Sequence, residues 1–191
     1  MTTLTRSTLP QLKQRVATAA DAEGLVDVAY ARVESPVGEL LLAGTRRGLV
    51  KVSFETEDPE ATLERLAREV SPRILEQPAR LDAARRELDE YFAGRRRAFD
   101  LDLDWRLTHG FRRRVLRATA RIPFGETSTY SRMATAAGSP RAYRAAGTAL
   151  GSNPLPIVVP CHRVLRSGGA LGGYGGGLPR KEELLRLEGA L

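Results

Sequence analysis

The sequence predicts a mixed chain: a small α/β domain over residues 27–104, then a mainly helical domain over residues 105–191 built round a helix-turn-helix. Three observations carry this. Period-two alternation of apolar residues marks segments between residues 26 and 54 and gives way to helical spacing after residue 108. Two short helical patterns in residues 130–150 flank the turn Gly138-Ser139-Pro140. The charge also changes sign: residues 1–104 hold 16 Lys and Arg against 19 Asp and Glu, net −3, whereas residues 105–191 hold 14 against 4, net +10.

Taken in order, residues 1–26, rich in Thr, Ala and Gln with Arg6, Lys13 and Arg15, read as an N-terminal extension. A frayed, disordered tail or a short helix suits them better than a transit peptide. Residues 26–33, 39–43 and 49–54 alternate as strands around the turns Ser35-Pro36-Val37-Gly38 and Thr45-Arg46-Arg47-Gly48, an antiparallel meander. Residues 59–70 and 79–93 read as helices, the second with Leu81, Ala84, Leu88, Tyr91 and Phe92 on one face and a stop at Gly94. Residues 99–104 form a last strand or a linker. Residues 111–121 carry Phe111, Val115, Leu116 and Ala118 at helical spacing among five arginines, and end at Pro123-Phe124-Gly125. Helices over 130–137 and 141–150 make the helix-turn-helix. The second is nearly bare, with Ala142, Ala145, Ala146, Gly147 and Ala149 beside Arg141, Tyr143 and Arg144, which permits close approach of another surface. Asn153-Pro154-Leu155-Pro156 forms a stiff loop, 157–159 a buried strand, 167–177 a glycine-rich hinge around Tyr174, and 179–188 a closing helix with Leu184, Leu185 and Leu187 inward.

With 42% hydrophobic and 28% charged residues, the chain is an ordinary globular protein able to bury a core without staples. No run approaches the ~18 apolar residues of a membrane span, and residues 1–20 lack a secretory core and cleavage site. A cytoplasmic location and no membrane partner are expected. One cysteine and two histidines, His109 and His162, exclude an intramolecular disulfide and a Cys/His zinc cluster. No metal or cofactor is called for. A field of +10 on the half that carries the only cysteine points to a polyanionic partner, nucleic acid above all.

The chemistry centres on Pro160-Cys161-His162-Arg163-Val164, where the lone cysteine stands beside a histidine. A thiol becomes a strong nucleophile once deprotonated, and a nearby imidazole is a standard means of doing so. Attack on an acyl carbon gives a thioester that water clears. Attack on an alkyl carbon gives a thioether that nothing removes. These residues alone leave a hydrolase, a helix-turn-helix regulator with a sensor cysteine and a single-turnover alkyl acceptor all open.

The stretch Asn153-Pro154-Leu155-Pro156-Ile157-Val158-Val159-Pro160-Cys161-His162-Arg163-Val164, preceded by Ile122-Pro123-Phe124-Gly125-Glu126-Thr127 with Tyr130 and followed by Tyr174-Gly175-Gly176-Gly177, closely resembles the O6-alkylguanine-DNA alkyltransferases. The resemblance spans about residues 28–189. It implies a ribonuclease-H-like α/β domain and a winged helix-turn-helix domain. It also implies a monomeric DNA-repair methyltransferase acting on duplex DNA that carries O6-alkylguanine, with O4-alkylthymine as a second lesion. The lesion is flipped from the stack, because O6 is unreachable in the duplex, and its alkyl group passes irreversibly to the protein.

Carried over residue by residue, the resemblance makes Cys161 the alkyl acceptor, His162 the base acting through a water, and Glu188 the group that orients His162. Tyr130 helps turn out the nucleotide and hydrogen-bonds the guanine ring nitrogen, Arg144 replaces the extruded base in the stack, and Asn153 fixes the turn at the cysteine. Arg141, Ala145 and Gly147 complete the DNA-facing helix. The backbone of Val164 and Gly175, with Tyr174, surrounds the flipped base, and Lys181 assists electrostatically. Adjacent side chains on extended backbone point apart, so a direct Cys161–His162 hydrogen bond is not assured and the water matters. The chain departs from the family pattern at Leu116, in place of a tryptophan, at Arg112, in place of a glutamine, and at Gly175, where some members have serine.

Overall fold

The computed structural model describes residues 8–191. The described part of the N-terminal extension is a helix, α1 (Thr8–Ala22), and residues 1–7 lie outside the described residues. Ala17 of α1 is buried, and Arg80 reaches Asp21 at 3.3 Å and the Val26 carbonyl at 3.2 Å, which ties the helix end to the domain behind it.

The meander forms as expected: β1 (Val28–Val33), β2 (Leu40–Thr45) and β3 (Gly48–Phe54) pair antiparallel, with Ala31 opposite Leu42 and Leu42 opposite Val52. Gly48 adopts φ +125°, and a Cβ there would lie 2.1 Å from the Asp102 carbonyl oxygen, so only glycine fits. Residues 99–104 run beside β3 at this point, with the Leu49 N–H on the Asp102 carbonyl and the Asp104 N–H on the Leu49 carbonyl, each at 2.8 Å. They make a single parallel bridge, Leu49 to Leu103, and are a linker rather than a strand. A short strand absent from the sequence-based expectation, β4 (Ile74–Glu76), pairs parallel with β1 and gives the sheet the order β3-β2-β1-β4.

Between β3 and β4 lies α2 (Pro59–Glu69), capped by the Asp58 carboxylate on the Glu60 N–H at 2.9 Å with Pro59 at its first position. The helix expected over residues 79–93 divides: Pro78 opens a 3₁₀ turn (Pro78–Leu81), and α3 proper is Asp82–Phe92, ended by Gly94 at φ +69°. Helices α2 and α3 cover opposite faces of the sheet. Val28, Ala43, Val50 and Leu66 pack on one side, while Leu42, Val52, Leu81, Leu88 and Tyr91 pack on the other.

The second half consists of α4 (Gly110–Thr119), β5 (Ser128–Thr129), α5 (Tyr130–Ala136), α6 (Tyr143–Gly151), β6 (Val164–Leu165) and α7 (Leu178–Leu187). Thr129 caps α5 by accepting from the Arg132 N–H. Helices α4, α5 and α6 pack on one another, with Val115, Leu116, Met133, Ala134, Ala146 and Ala149 between them. The α3 side of the first core runs on into this one, so a single apolar cluster joins both halves. Among the described residues no helix is long and apolar enough to cross a membrane.

The buried strand expected at residues 157–159 is not one. These residues are buried, but they form successive turns: the Val158 N–H reaches the Pro156 carbonyl at 2.9 Å and the Val159 N–H reaches the Leu155 carbonyl at 2.8 Å. Ile157 sits at φ +71°, a conformation costly for a β-branched residue. Pro154, Pro156 and Pro160 offer no N–H to a ladder, and the apolar run reflects a turn sunk into the core. Cys161–Arg163 continues as a 3₁₀ turn rather than extended backbone.

Candidate active site

The turn that carries Cys161 is held from within by Asn153. Its Nδ2 donates to the Val159 carbonyl at 2.8 Å and to Cys161 Sγ at 3.2 Å, while its Oδ1 accepts from the Leu155 N–H at 3.0 Å. One side chain thus fixes both ends of the loop and touches the sulfur. From outside, the β3 backbone joins the loop, with the Val52 N–H on the Pro154 carbonyl at 2.8 Å.

Cys161 is buried, and burial pushes its thiol up to about 11, although Asn153 and Lys181 both pull it down. The resting group is therefore a neutral thiol at pH 7. A base is required to use it. His162 is fully buried and places Nε2 2.9 Å from Glu188 Oε1. Glu188 is itself buried, and burial alone would raise its carboxyl. The hydrogen bonds from His162 and Arg163 outweigh this and hold it at about 2.

Arg163 supplies the formal counter-charge, with Nε 2.8 Å from Oε2 and a terminal nitrogen 2.8 Å from Oε1. With that charge matched, burial holds the His162 pKa below its ordinary value against the pull of Glu188. His162 is thus a neutral imidazole whose Nε2–H donates to Glu188 and whose Nδ1 carries the lone pair. Nδ1 is buried and has no protein partner among the described residues. No direct Cys161–His162 side-chain hydrogen bond forms among the described residues. The backbone there is a 3₁₀ turn and not the extended backbone expected.

Lys181, expected near the site, is fully buried in α7, and burial lowers its ammonium to about 8. Its Nζ donates to the carbonyls of Val164, at 2.7 Å, and Leu171, lacing β6 to the glycine-rich segment. That segment brings Tyr174 against the site, its ring edge-on to His162 with centroids 6.4 Å apart and to Phe54 at 5.9 Å. A cleft of about 470 Å³ opens beside Cys161, lined among others by Asn153, Pro156, Tyr174, Gly175 and, from the first half, Phe54.

The parallel pair Ser128–Val164 sets the start of α5 next to the segment that follows the cysteine. Tyr130 there is half-buried. A Cβ at Gly172, at φ +66°, would lie 2.5 Å from its hydroxyl oxygen, and one at Gly147 would sit 3.7 Å from its ring. Gly172 makes room for the tyrosine, whereas a Cβ at Gly147 would only touch its ring in ordinary van der Waals contact. Arg141, Arg144 and Ala145 do not join the buried cluster: they stand exposed on and before α6, the second helix of the helix-turn-helix, with the Arg144 guanidinium 5.8 Å from the Tyr143 ring.

Two members of the cluster were not anticipated. Arg163 was signalled by its place in the motif. Tyr91 of α3 was assigned only to the apolar face of its helix, yet its hydroxyl donates to Glu188 Oε1 at 2.6 Å. Three of the arginines of α4 are engaged with backbone carbonyls: Arg112 on Ser152, Arg113 on Thr108 and Trp105, Arg114 on Ala137.

Residues 28–105 match the family model described as 6-O-methylguanine DNA methyltransferase, ribonuclease-like domain, and residues 110–190 match that family's DNA binding domain. A methylated-DNA–protein-cysteine methyltransferase of Mycolicibacterium paratuberculosis is 44% identical over 163 residues, 84% of this chain and 92% of its own. One from Methanosarcina barkeri is 42% identical over 83% of this chain and 96% of its own. The crystal structure of Mycobacterium tuberculosis O6-methylguanine methyltransferase superposes with a TM-score of 0.72 at 40% identity, covering 85% of this chain and 93% of that one. The same protein in complex with DNA gives 0.73 at 38% identity, with the same coverage.

Proposed function

The chain belongs to the 6-O-methylguanine DNA methyltransferase family, and from that premise we propose how its own residues perform alkyl transfer. It is a DNA-repair methyltransferase that takes the alkyl group of O6-alkylguanine in duplex DNA onto its own cysteine. Arg144 enters the base stack as the lesion leaves it, Arg141, Ala145 and Gly147 lie along the DNA, and Tyr130 steers the nucleotide inward. The base then lies between the backbone of Val164 and Gly175, against Tyr174.

Cys161 gives its proton, by way of a water, to the lone pair on His162 Nδ1. The thiolate attacks the alkyl carbon at the side away from O6: a C–S bond forms, the C–O bond breaks, and its electron pair stays on the guanine oxygen. Tyr130 donates to the ring nitrogen on which that charge develops. Glu188 stabilises the imidazolium, and Asn153 holds the sulfur in place. The thioether has no leaving-group path, so each chain acts once. Cytoplasmic operation fits a lone reduced cysteine.

The observation that carries this reading is the neutral, buried thiol in one cluster with a His162–Glu188 pair whose free ring nitrogen is a base. A redox sensor calls for an exposed, low-pKa thiol, whereas Cys161 is buried with its thiol pushed up. The test is intact-protein mass spectrometry after incubation with duplex DNA containing O6-methylguanine. The chain should gain the mass of one methylene group, mapped to Cys161. An unmodified chain beside repaired DNA would refute the reading.

A further inference from the structure

Glu188 is the meeting point of both halves of the molecule. On its Oε1 converge the His162 Nε2–H at 2.9 Å, a terminal nitrogen of Arg163 at 2.8 Å and the Tyr91 hydroxyl at 2.6 Å; Oε2 takes Arg163 Nε at 2.8 Å. His162, Arg163 and Glu188 lie within 27 residues of one another. Tyr91 alone comes from α3 of the first half, 97 residues away in sequence.

Its placement is rigid. Tyr91 has no exposed surface, and its ring is fixed by Phe92 and Phe99, each 5.3 Å between centroids, and by Phe124 of the second half at 6.1 Å. Burial, then the Glu188 charge, pushes the phenol well above its ordinary range, so it stays a donor at every working pH. A packing role alone is met by phenylalanine. A hydroxyl aimed at the very oxygen that receives His162 is a further feature.

We propose that Tyr91 is a positioning residue for alkyl transfer: by donating to Glu188 Oε1 it fixes the carboxylate and draws off part of the charge that would otherwise act on His162. The first half of the chain thereby sets the basicity of the group that deprotonates Cys161. This rests on the role assigned to His162 above. The other groups that act on the pair are Arg163 beside it, Lys181 of α7, and Tyr174 on the cleft side, which in turn faces Cys161. Arg163 and Lys181 are cationic and oppose protonation of His162. Tyr91 adds a neutral donor that works in the same sense, by competing for the carboxylate.

Removing the hydroxyl leaves Oε1 more basic towards the imidazole and raises the His162 pKa. Strengthening the donor lowers it. Two variants therefore move one observable in opposite directions. Tyr91→Phe and site-specific replacement of Tyr91 by a difluorotyrosine, a more acidic phenol of nearly the same shape, are compared with the wild type. His162 is titrated by NMR, where the exposed His109 is the only other histidine. In parallel the rate of reaction with free O6-benzylguanine is followed across pH, which removes DNA binding from the measurement.

The His162 titration and the acidic limb of the rate profile should move up by about one pH unit in Tyr91→Phe and down in the fluorinated protein. Identical titrations in all three proteins, with only the melting temperature altered, would overturn the proposal and leave Tyr91 a packing residue. Should Tyr91→Phe not fold, the fluorinated protein alone decides, because its core volume is nearly unchanged. If the titration shifts but no protein reacts with O6-benzylguanine, the coupling of Tyr91 to His162 stands and the reading of the site as an alkyl acceptor fails.

Discussion

The backbone N–H of Val52 donates to the carbonyl of Pro154 at 2.8 Å, so the edge strand of the sheet is hydrogen-bonded to the turn that presents the cysteine. An edge strand normally offers unpaired groups to any passing chain. Here one is spent on the active-site loop, which needs bracing because Ile157 stands at φ +71° within it. The strained turn is thus clamped by Val52 outside and Asn153 inside.

Asn153→Ala removes the donor to Sγ, leaves the Leu155 N–H without its partner, and takes from the Val159 carbonyl one of its two donors, the other being the Cys161 N–H. Stability should fall by about 1–3 kcal/mol, and the reaction with free O6-benzylguanine should slow at least about tenfold, since a hydrogen bond to a charged acceptor is lost. Thermal melts and single-turnover rates report the two separately. Unchanged kinetics would remove Asn153 from the chemistry.

The acid limb of stability should carry the signature of Glu188. Its native pKa of about 2 lies below the ordinary 4.5, so the stabilisation it contributes is complete above about pH 4.5 and is lost as pH falls towards 2. Glu188→Gln should flatten that dependence in urea melts recorded between pH 2 and pH 6. At neutral pH it should cost about 3–5 kcal/mol, because Arg163 stays buried without its counter-charge.

Arg144→Ala should impair repair in duplex DNA far more than reaction with the free base. Arg144 is exposed on α6, whereas Cys161, His162 and Glu188 are buried, and base flipping costs a few kcal/mol. A loss of roughly tenfold to a hundredfold on the duplex, beside a near-normal rate on O6-benzylguanine, is expected. Equal losses on both would place Arg144 in the chemistry or the fold.

Salt dependence should follow the exposed arginines and not the total charge. Arg113 and Arg114 hold backbone carbonyls, whereas Arg132, Arg141, Arg144 and Arg166 stand exposed around the helix-turn-helix and β6. Four phosphate contacts give a log–log slope near −3.6, at about −0.9 for each. Arg166→Ala or Arg141→Ala should each reduce the slope by about one, and neutralising Arg95–Arg97 should leave it unchanged. Binding titrations over a range of salt would contradict this if the N-terminal variants carried the dependence.

Much of this architecture is legible in the sequence because local pattern and tertiary fold agree there. The meander alternates between turn signals, the small-residue helix follows a Gly-Ser-Pro turn, and the Pro-Cys-His-Arg-Val motif is specific enough to locate the nucleophile. What escaped depends on long-range partners. β4 has three residues after Pro72, too few to show a period, and exists because β1 offers it an edge. Residues 157–159 read as a strand because burial, not extension, makes a run apolar. The resemblance places Lys181 near the site, but its burial and its bonds to the Val164 and Leu171 carbonyls are visible only in the folded chain. Tyr91 sits in an apolar stripe, and only the folded chain shows its hydroxyl meeting a carboxylate 97 residues away.

The central claim is that Cys161 accepts the alkyl group once and permanently. Limiting protein is incubated with excess duplex DNA bearing O6-methylguanine, and repaired base and protein mass are counted together, with Cys161→Ser alongside. One repaired guanine and one added methylene on Cys161 per chain are expected, with no further product however long the incubation, while Cys161→Ser binds the duplex and transfers nothing. Several repaired guanines per chain, or methyl transfer by Cys161→Ser, would contradict it.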